Sequence, residues 1–303
     1  MGLKSFLSLC PPDFEIVLAD VGAAGGIKDR WAPARAVVAA MLFEPRDGGE
    51  PRRRGRDMLY PVALGDAPGR AVLNVTALPN MSSTLLPNAA LLESFRKKGA
   101  HTSVLNTVEM PVDTLDAIVA RDAKRVDAIK VDTQGSELAI LKGAHACLSS
   151  SVIVAEVEVS FLERYQGQPL FSDIESFMNG LGFVFHDFYR LKRYRAVNRA
   201  GLGNVSLGSG QRAGRLAYGD ALFLLSEDRL LERVRAEGET LALKIIIALL
   251  VYGKADLAAR FFDLSADRFG AERRARIARE LRGFKGLRHS QFHHVIDYLA
   301  RHV

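Results

Sequence analysis

The stretch Glu15-Ile-Val-Leu-Ala-Asp20-Val-Gly22-Ala-Ala-Gly25-Gly26, read together with Phe43-Glu44-Pro45, decides the fold of this chain. Residues 15–21 form a short apolar run that ends in an acid and then in a glycine-rich turn, the pattern of a strand entering a loop. A second apolar run, residues 36–43, ends in Glu44. That acid lies about twenty residues beyond the glycines, the layout of a nucleotide-cofactor site on an α/β sheet. Gly22 permits a turn that side chains would obstruct, and Gly25 and Gly26 let a cofactor lie against the backbone. Glu44, with Pro45 behind it, stands at a strand tip where it can take both ribose hydroxyls.

Two cofactor classes compete for this pattern. A dinucleotide site has G-x-G-x-x-G and sets pyrophosphate on a helix N-terminus. Here the order is Asp20-x-Gly22-x-Ala24-x-Gly26, with an acid ahead of the first glycine. An acid there repels pyrophosphate. It suits a cofactor with a cationic amino-acid tail and no phosphate, which describes S-adenosylmethionine.

The 303 residues are enough for one large domain with a full core and an appendage. The net charge of +6 is modest, and the charged and apolar fractions are those of an ordinary globular protein. The two cysteines, Cys10 and Cys147, form neither a disulfide framework nor a metal-type spacing, which fits a reducing cytoplasm. The first ten residues are too short an apolar run for a signal peptide. Residues 241–252 are apolar but interrupted by Lys244, well short of the roughly 20 residues that cross a bilayer, and read as a buried helix.

Along the chain, the pattern predicts a helix over residues 31–40 and an exposed basic loop over residues 46–57. The loop's arginines, Arg52 to Arg56, read first as a solvated charge run and second as a contact for an anionic partner. Residues 58–64 and 70–77 read as two strands joined by a turn. An irregular stretch follows with Ser82, Ser83 and Asn88, the kind of polar loop that carries substrate contacts. Residues 103–110 read as a strand, and Asp113 is placed to cap the helix after it. Asp127-Ala-Ile-Lys-Val-Asp132 is a second strand ending in an acid; Thr133-Gln134-Gly135 and a helix over residues 137–147 follow. Ligands on open α/β sheets bind beyond the carboxyl ends of the strands, so Asp20, Glu44 and Asp132 share one rim. Residues 151–159 read as a central strand, 169–181 as a helix, 183–189 as a strand with His186 near its end, 190–218 as a long loop and 220–225 as a last strand. From residue 226 the periodicity is helical throughout, with breaks near Gly238, Gly253, Gly270 and Gly286. The expected division is therefore 1–225 and a helical extension, 226–303.

The segment Ile129-Lys130-Val131-Asp132-Thr133-Gln134-Gly135-Ser136-Glu137-Leu-Ala-Ile-Leu-Lys142-Gly143-Ala144 resembles the hallmark of the FkbM family of methyltransferases. Asp20 to Gly26, Phe43-Glu44-Pro45, Pro111-Val-Asp-Thr-Leu-Asp116, and Glu158-Val-Ser160-Phe161 with Tyr165-Gln-Gly-Gln168-Pro-Leu-Phe171 match in the expected order. The resemblance covers residues 15–225 and leaves the helical tail outside. It implies a class I methyltransferase, Rossmann-like α/β fold: a seven-stranded, mostly parallel sheet, last strand antiparallel, helices on both faces. It also implies S-adenosylmethionine as methyl donor and a hydroxyl on a sugar or natural-product skeleton as acceptor. The cofactor motif carries over onto Asp20, Gly22, Gly25 and Gly26, the ribose acid onto Glu44 with Pro45, and the strand-four motif onto Asp132, Gln134 and Gly135. Ala24 departs from the broader glycine pattern, at the turn that receives the methionine tail.

Methyl transfer from a sulfonium is an in-line displacement, so the protein must chiefly position the acceptor and remove a proton. There is no Asn/Asp-Pro-Pro-Tyr/Phe block and no Pro-Cys nucleophile, which favours oxygen as acceptor and argues against nucleic acid. Asp132 and His186 are the candidate proton acceptors. Glu156 and Glu158 share one strand face and can also meet the rim. Ser82, Ser83, Asn88, Tyr165 and Gln168 are the candidate substrate contacts. A divalent metal on Asp132 is chemically open, but no compact ligand set is visible, so no metal is assigned. A non-catalytic member that binds the cofactor or a sugar and works through its helical tail, as a self-association or partner surface, is the second reading. An RNA methyltransferase, suggested by the basic loop, is the third.

Overall fold

The computed structural model describes residues 3–23, 26–27, 29–202 and 213–284. They form two compact units. One takes residues from 1–16, 27–39 and 227–303, and the other takes 17–26 and 40–226. The N-terminal residues cluster with the C-terminal helices.

In the helical unit, the helix Leu3–Leu7 packs with the 3-10 segment Asp29–Val37 and with the helices Glu239–Val251 and Ala271–Arg282. Glu239–Val251 is buried along almost its whole length, as a helix that is apolar all round must be. Trp31 meets Tyr252 edge to face at 5.8 Å. The α-helix expected over 31–40 is instead this 3-10 segment, with Pro33 inside it, followed at once by a strand. Proline lacks the N–H that an α-helix needs there. Gly238, Gly253 and Gly270 flank helix ends as expected, and Gly286 lies outside the described residues. Among the described residues no helix is long and apolar enough to cross a membrane.

The second unit holds the strands. In chain order they are β1 (Ile16–Val21), β2 (Val38–Phe43), β3 (Arg52–Arg54), β4 (Asp57–Tyr60), β5 (Ala63–Leu64), β6 (Gly69–Thr76), β7 (Val104–Asp113), β8 (Ala128–Val131), β9 (Val154–Ser160), β10 (Phe183–Tyr194) and β11 (Arg215–Leu225). The main sheet runs β10-β11-β9-β8-β1-β2-β4-β3. It has eight strands rather than the seven expected, because three arginines of the basic loop pair antiparallel with β4 as an edge strand. β1, β8 and β9 are parallel neighbours, and β11 is antiparallel to both β9 and β10. Every residue of β8 and β9 is buried, which accounts for their near-continuous apolar sequence.

The register aligns the acids. Asp20 of β1 sits opposite Lys130 of β8, Lys130 opposite Glu156 of β9, and Glu158 opposite Asp220 of β11. A separate three-stranded sheet, β5-β7-β6, replaces the expected hairpin of 58–64 with 70–77. Both β5 and β6 pair with the ten-residue β7, which is long enough to template both. The helix expected over 137–147 is two helices, Glu137–Lys142 and His145–Ser150. Gly143 lies at their junction, where an added Cβ would stand 1.9 Å from the Gly65 carbonyl. Thr114, not Asp113, caps Leu115–Arg121; Asp113 accepts instead from the Thr114 N–H. β10 and β11 extend into the expected 190–218 loop from both sides.

Candidate functional site

The site is built where β1, β2 and β8 end. Gly22 follows β1 with φ +80°, and its N–H donates to the Phe43 carbonyl at the end of β2 (3.0 Å). Ala23 donates to the same oxygen (3.2 Å), and the Asp132 N–H donates back to Val21 at 3.0 Å. A Cβ on residue 22 would lie 2.1 Å from the Asp132 carbonyl oxygen. Only glycine accepts both that conformation and that approach. Gly26, at φ +92°, donates its N–H to the Ala23 carbonyl at 2.8 Å, and among the described residues nothing lies within 4 Å of where a Cβ would stand. Gly25 lies outside the described residues.

The acids that end these strands already hold cations. Asp20 is buried and takes a hydrogen bond from Lys130 Nζ at 3.2 Å, while Asp132 lies 3.7 Å from the same ammonium. Burial pulls the Lys130 ammonium down, but Asp20 and Asp132 more than reverse it and hold it above the ordinary lysine range. Glu44 ends β2 and forms a two-pronged pair with Arg46: Nε donates to Oε1 and Nη2 to Oε2, both at 2.8 Å. Burial pushes Glu44 up, and the hydrogen bonds from Arg46 outweigh it, so the carboxyl sits below the usual range. Pro45 opens the short 3-10 turn that carries Arg46 back over Glu44.

Beside them, the β8 and β9 ends meet β11. The carboxylates of Asp132, Glu158 and Asp220 offer oxygens that lie within 4.8 Å of one another. This is the compact acidic set that the sequence did not reveal. Gln134, in the left-handed region at φ +62°, donates its amide to Asp132 (3.3 Å) and to both oxygens of Glu158 (3.0 and 3.1 Å). The buried Arg164 donates to Glu158 at 2.6 Å. Arg190 grips Asp220 at 2.8 and 3.2 Å and lies 3.9 Å from Asp132. Burial pushes the Glu158 carboxyl up to about 8 despite Arg164, with Asp132 and Glu137 adding to the rise.

The residues expected to contact substrate make hydrogen bonds within the chain. Ser83 Oγ donates to the Gln134 carbonyl (2.7 Å) and accepts from Leu85 N–H. Ser82 Oγ accepts from Thr76 N–H. Asn88 caps Ala89–Leu92 and donates to the Glu163 carbonyl. Tyr165 is fully buried, its hydroxyl donating to Met81 at 2.8 Å, and Gln168 donates to Ser160 at 2.9 Å. Ser83, Tyr165 and Gln168 thus pack around the Gln134-Gly135 turn and hold it. Gly135, at φ +125°, has Leu85, Tyr165 and Gln168 around its missing Cβ and donates its N–H to Glu137. His186 is exposed at a bulge of β10, near Phe223 and Leu222 in register and away from the Asp220 level that marks the acidic set.

Lys130, Arg164, Arg190 and Asp220 were not singled out from the sequence. A lysine inside a four-residue buried strand and an aspartate inside the apolar run of β11 are the signals that mark two of them.

A family model described as Methyltransferase FkbM domain matches residues 20–185, the segment that carries Asp20, Glu44, Asp132 and Glu158. No curated protein matches the sequence. A solved structure described as Methyltransferase FkbM from Methylobacillus flagellatus KT is similar at 12% identity and a TM-score of 0.34. That likeness covers 70% of this chain and 44% of the other, so the chain spans less than half of that protein's length.

Proposed function

The chain belongs to the FkbM methyltransferase family, and on that premise we propose that it moves a methyl group from S-adenosylmethionine to a hydroxyl of a sugar, glycan or natural-product acceptor. The observation that carries this reading is the meeting of three strand ends at Gly22, where no side chain fits. The turn joins the strands that end in Asp20, Glu44 and Asp132, and among the described residues there is free space beside Gly26.

The residues present suit this donor. Glu44 offers a buried carboxylate at the β2 tip, and its Oε2, which among the described residues accepts from Arg46 Nη2 alone, keeps a lone pair for a ribose hydroxyl. Asp20, with its charge shared by Lys130, lies two residues before Gly22, and a carboxylate there favours a cationic tail over phosphate. When bound, the donor supplies a methyl on a sulfonium, to be taken by an acceptor oxygen in line. The chain's task is to hold that oxygen and receive its proton. Asp132 is the proton acceptor in this reading: it is the partly exposed member of the acidic set, and Lys130 and Arg190 stand beside it. Gln134 fixes its orientation through the 3.3 Å amide bond.

The test is a calorimetric titration of the protein with S-adenosylmethionine, S-adenosylhomocysteine and NAD. Both adenosyl compounds are expected to bind and NAD is not. Asp20→Ala and Glu44→Ala are each expected to abolish the binding while the protein stays folded. Absence of binding by either adenosyl compound to folded wild-type protein would transfer the weight to a non-catalytic role.

A further inference from the structure

Apart from the acidic rim, the sheet-bearing unit carries a second concentration of charge, of opposite sign. Arg96, Lys97, Lys98, Arg193 and Arg195 line one concavity of about 710 Å³, with Tyr194 as its buried wall. The volume is within the range of small-molecule sites. Among the described residues none of the five cations pairs with a carboxylate, whereas Lys130, Arg164 and Arg190 each do. Like charges gathered in one hollow repel one another and lower stability unless an anion joins them.

The hollow is preformed. Its two walls are tied by the Arg96 N–H donating to the Arg195 carbonyl at 2.9 Å and by the bridge between Phe95 and Ala196. Beneath it Leu92, Phe95, Leu162, Tyr194 and Ala217 form a small apolar core. Lys97 is held at φ +64°, a conformation that costs a lysine free energy and that aims the chain of three basic residues around the turn. Lys98 Nζ lies 4.4 Å from the Tyr194 ring centroid. Burial, then repulsion from Arg164 and Lys192, holds Lys98 below the ordinary lysine range.

The hollow also connects to the acidic rim. Tyr194 meets Tyr218 edge to face at 6.1 Å, Arg164 stacks on Tyr218 at 4.3 Å, and Arg164 pairs with Glu158. We propose that this basic cavity binds a phosphate ester and holds the phosphate of the methyl acceptor. The assignment to the acceptor rests on the methyl-transfer reading above. Several guanidinium and ammonium donors converging without a carboxylate match the tetrahedral, multiply charged phosphate better than a single carboxylate.

The experiment titrates the full chain by calorimetry with glucose 6-phosphate, with glucose, and with phosphatidylcholine vesicles with and without phosphatidylglycerol. Each sample is also titrated with S-adenosylhomocysteine. Two double variants are compared: Lys97→Gln/Arg195→Gln in the cavity, and Arg53→Gln/Arg54→Gln on the exposed edge strand. The cavity side chains exchanged make no hydrogen bond or ion pair among the described residues, so this variant is expected to fold.

The proposal expects saturable one-to-one binding of glucose 6-phosphate but not glucose, weakened at least tenfold by the cavity variant and unchanged by the edge variant. The same variant pattern with phosphatidylglycerol vesicles in place of the soluble ester supports the site and identifies a lipid as the source of the phosphate. No binding by either phosphate probe, or equal weakening by both variants, overturns it. Adenosylhomocysteine binding without phosphate binding removes the cavity assignment and leaves the donor site standing. Phosphate binding without adenosylhomocysteine binding removes the donor reading, and the acceptor assignment falls with it.

Discussion

The acidic rim and the basic cavity belong to one compact unit and treat charge in opposite ways. At the rim, carboxylates are met from inside the chain: Asp20 by Lys130, Glu44 by Arg46, Asp132 by Lys130 and Arg190, Glu158 by Arg164 and Asp220 by Arg190. In the cavity, five cations face one hollow and the described residues offer them no carboxylate. The rim's groups come from strand ends that are buried on both faces, where an unmatched charge is costly. The cavity's groups are mostly exposed side chains on a turn and a strand edge, where water tolerates them until a ligand replaces it. Matched charge at the rim is part of how the protein folds. Unmatched charge in the cavity is available for binding.

Removing one member of a rim pair is the strongest way to break this contrast. Arg164→Met leaves Glu158 buried without its cation and is expected to cost about 3–5 kcal/mol of unfolding free energy. Adding Glu158→Leu to that variant is expected to recover most of the loss, as replacement of a whole buried pair does. Chemical denaturation of both single variants and the double variant measures the coupling. A loss below 1 kcal/mol for Arg164→Met would mean that the pair is not integral to the fold.

A smaller effect is expected from Glu44, which tests the rim through pH. Its folded carboxyl is held low, so its contribution is fully present above the ordinary glutamate value of about 4.3. That contribution is lost as pH falls through the folded value. Melting temperatures of wild type and Glu44→Gln are therefore expected to differ at pH 7 and to converge in acid. A difference that stayed constant down to pH 3 would show that the Arg46 pair does not stabilise the fold through charge.

The smallest effect is expected in the cavity. Lys97→Gln/Arg195→Gln should leave the unfolding free energy within about 0.5 kcal/mol of wild type, as exposed substitutions usually do. A slight gain is the expected direction, because like charges are removed. Destabilisation beyond 1 kcal/mol would place these cations among the structural pairs and erase the distinction between the two regions.

Much of the rim was legible because strand-acid-glycine order is local. Asp20, Gly22 and Glu44 follow apolar runs that end at the sheet's edge, and Asp132 repeats the pattern on β8. Three strands and the last antiparallel one were likewise visible as runs of apolar residues. The basic loop reads as exposed, and Arg52–Arg54 are exposed; their pairing as a strand is not legible because three consecutive arginines lack strand alternation, and β4 supplies the ladder. The polar residues at 82, 83, 88, 165 and 168 have the chemistry of substrate contacts, and their hydrogen bonds run to backbone, to Gln134 and, from Gln168, to Ser160 Oγ. Nothing local distinguishes a polar side chain that holds a loop from one that faces a ligand.

The sequence by itself determined the strand ends and the acids that close them, since both depend on residues only a few positions apart. The tertiary structure alone decided which cations meet those acids. Lys130 lies 110 positions from Asp20 and Arg190 lies 30 from Asp220, distances that only strand pairing closes. It also decided that residues 96–98 and 193–195 form one cavity, because the backbone bond from Arg96 to Arg195 joins segments that no periodicity connects.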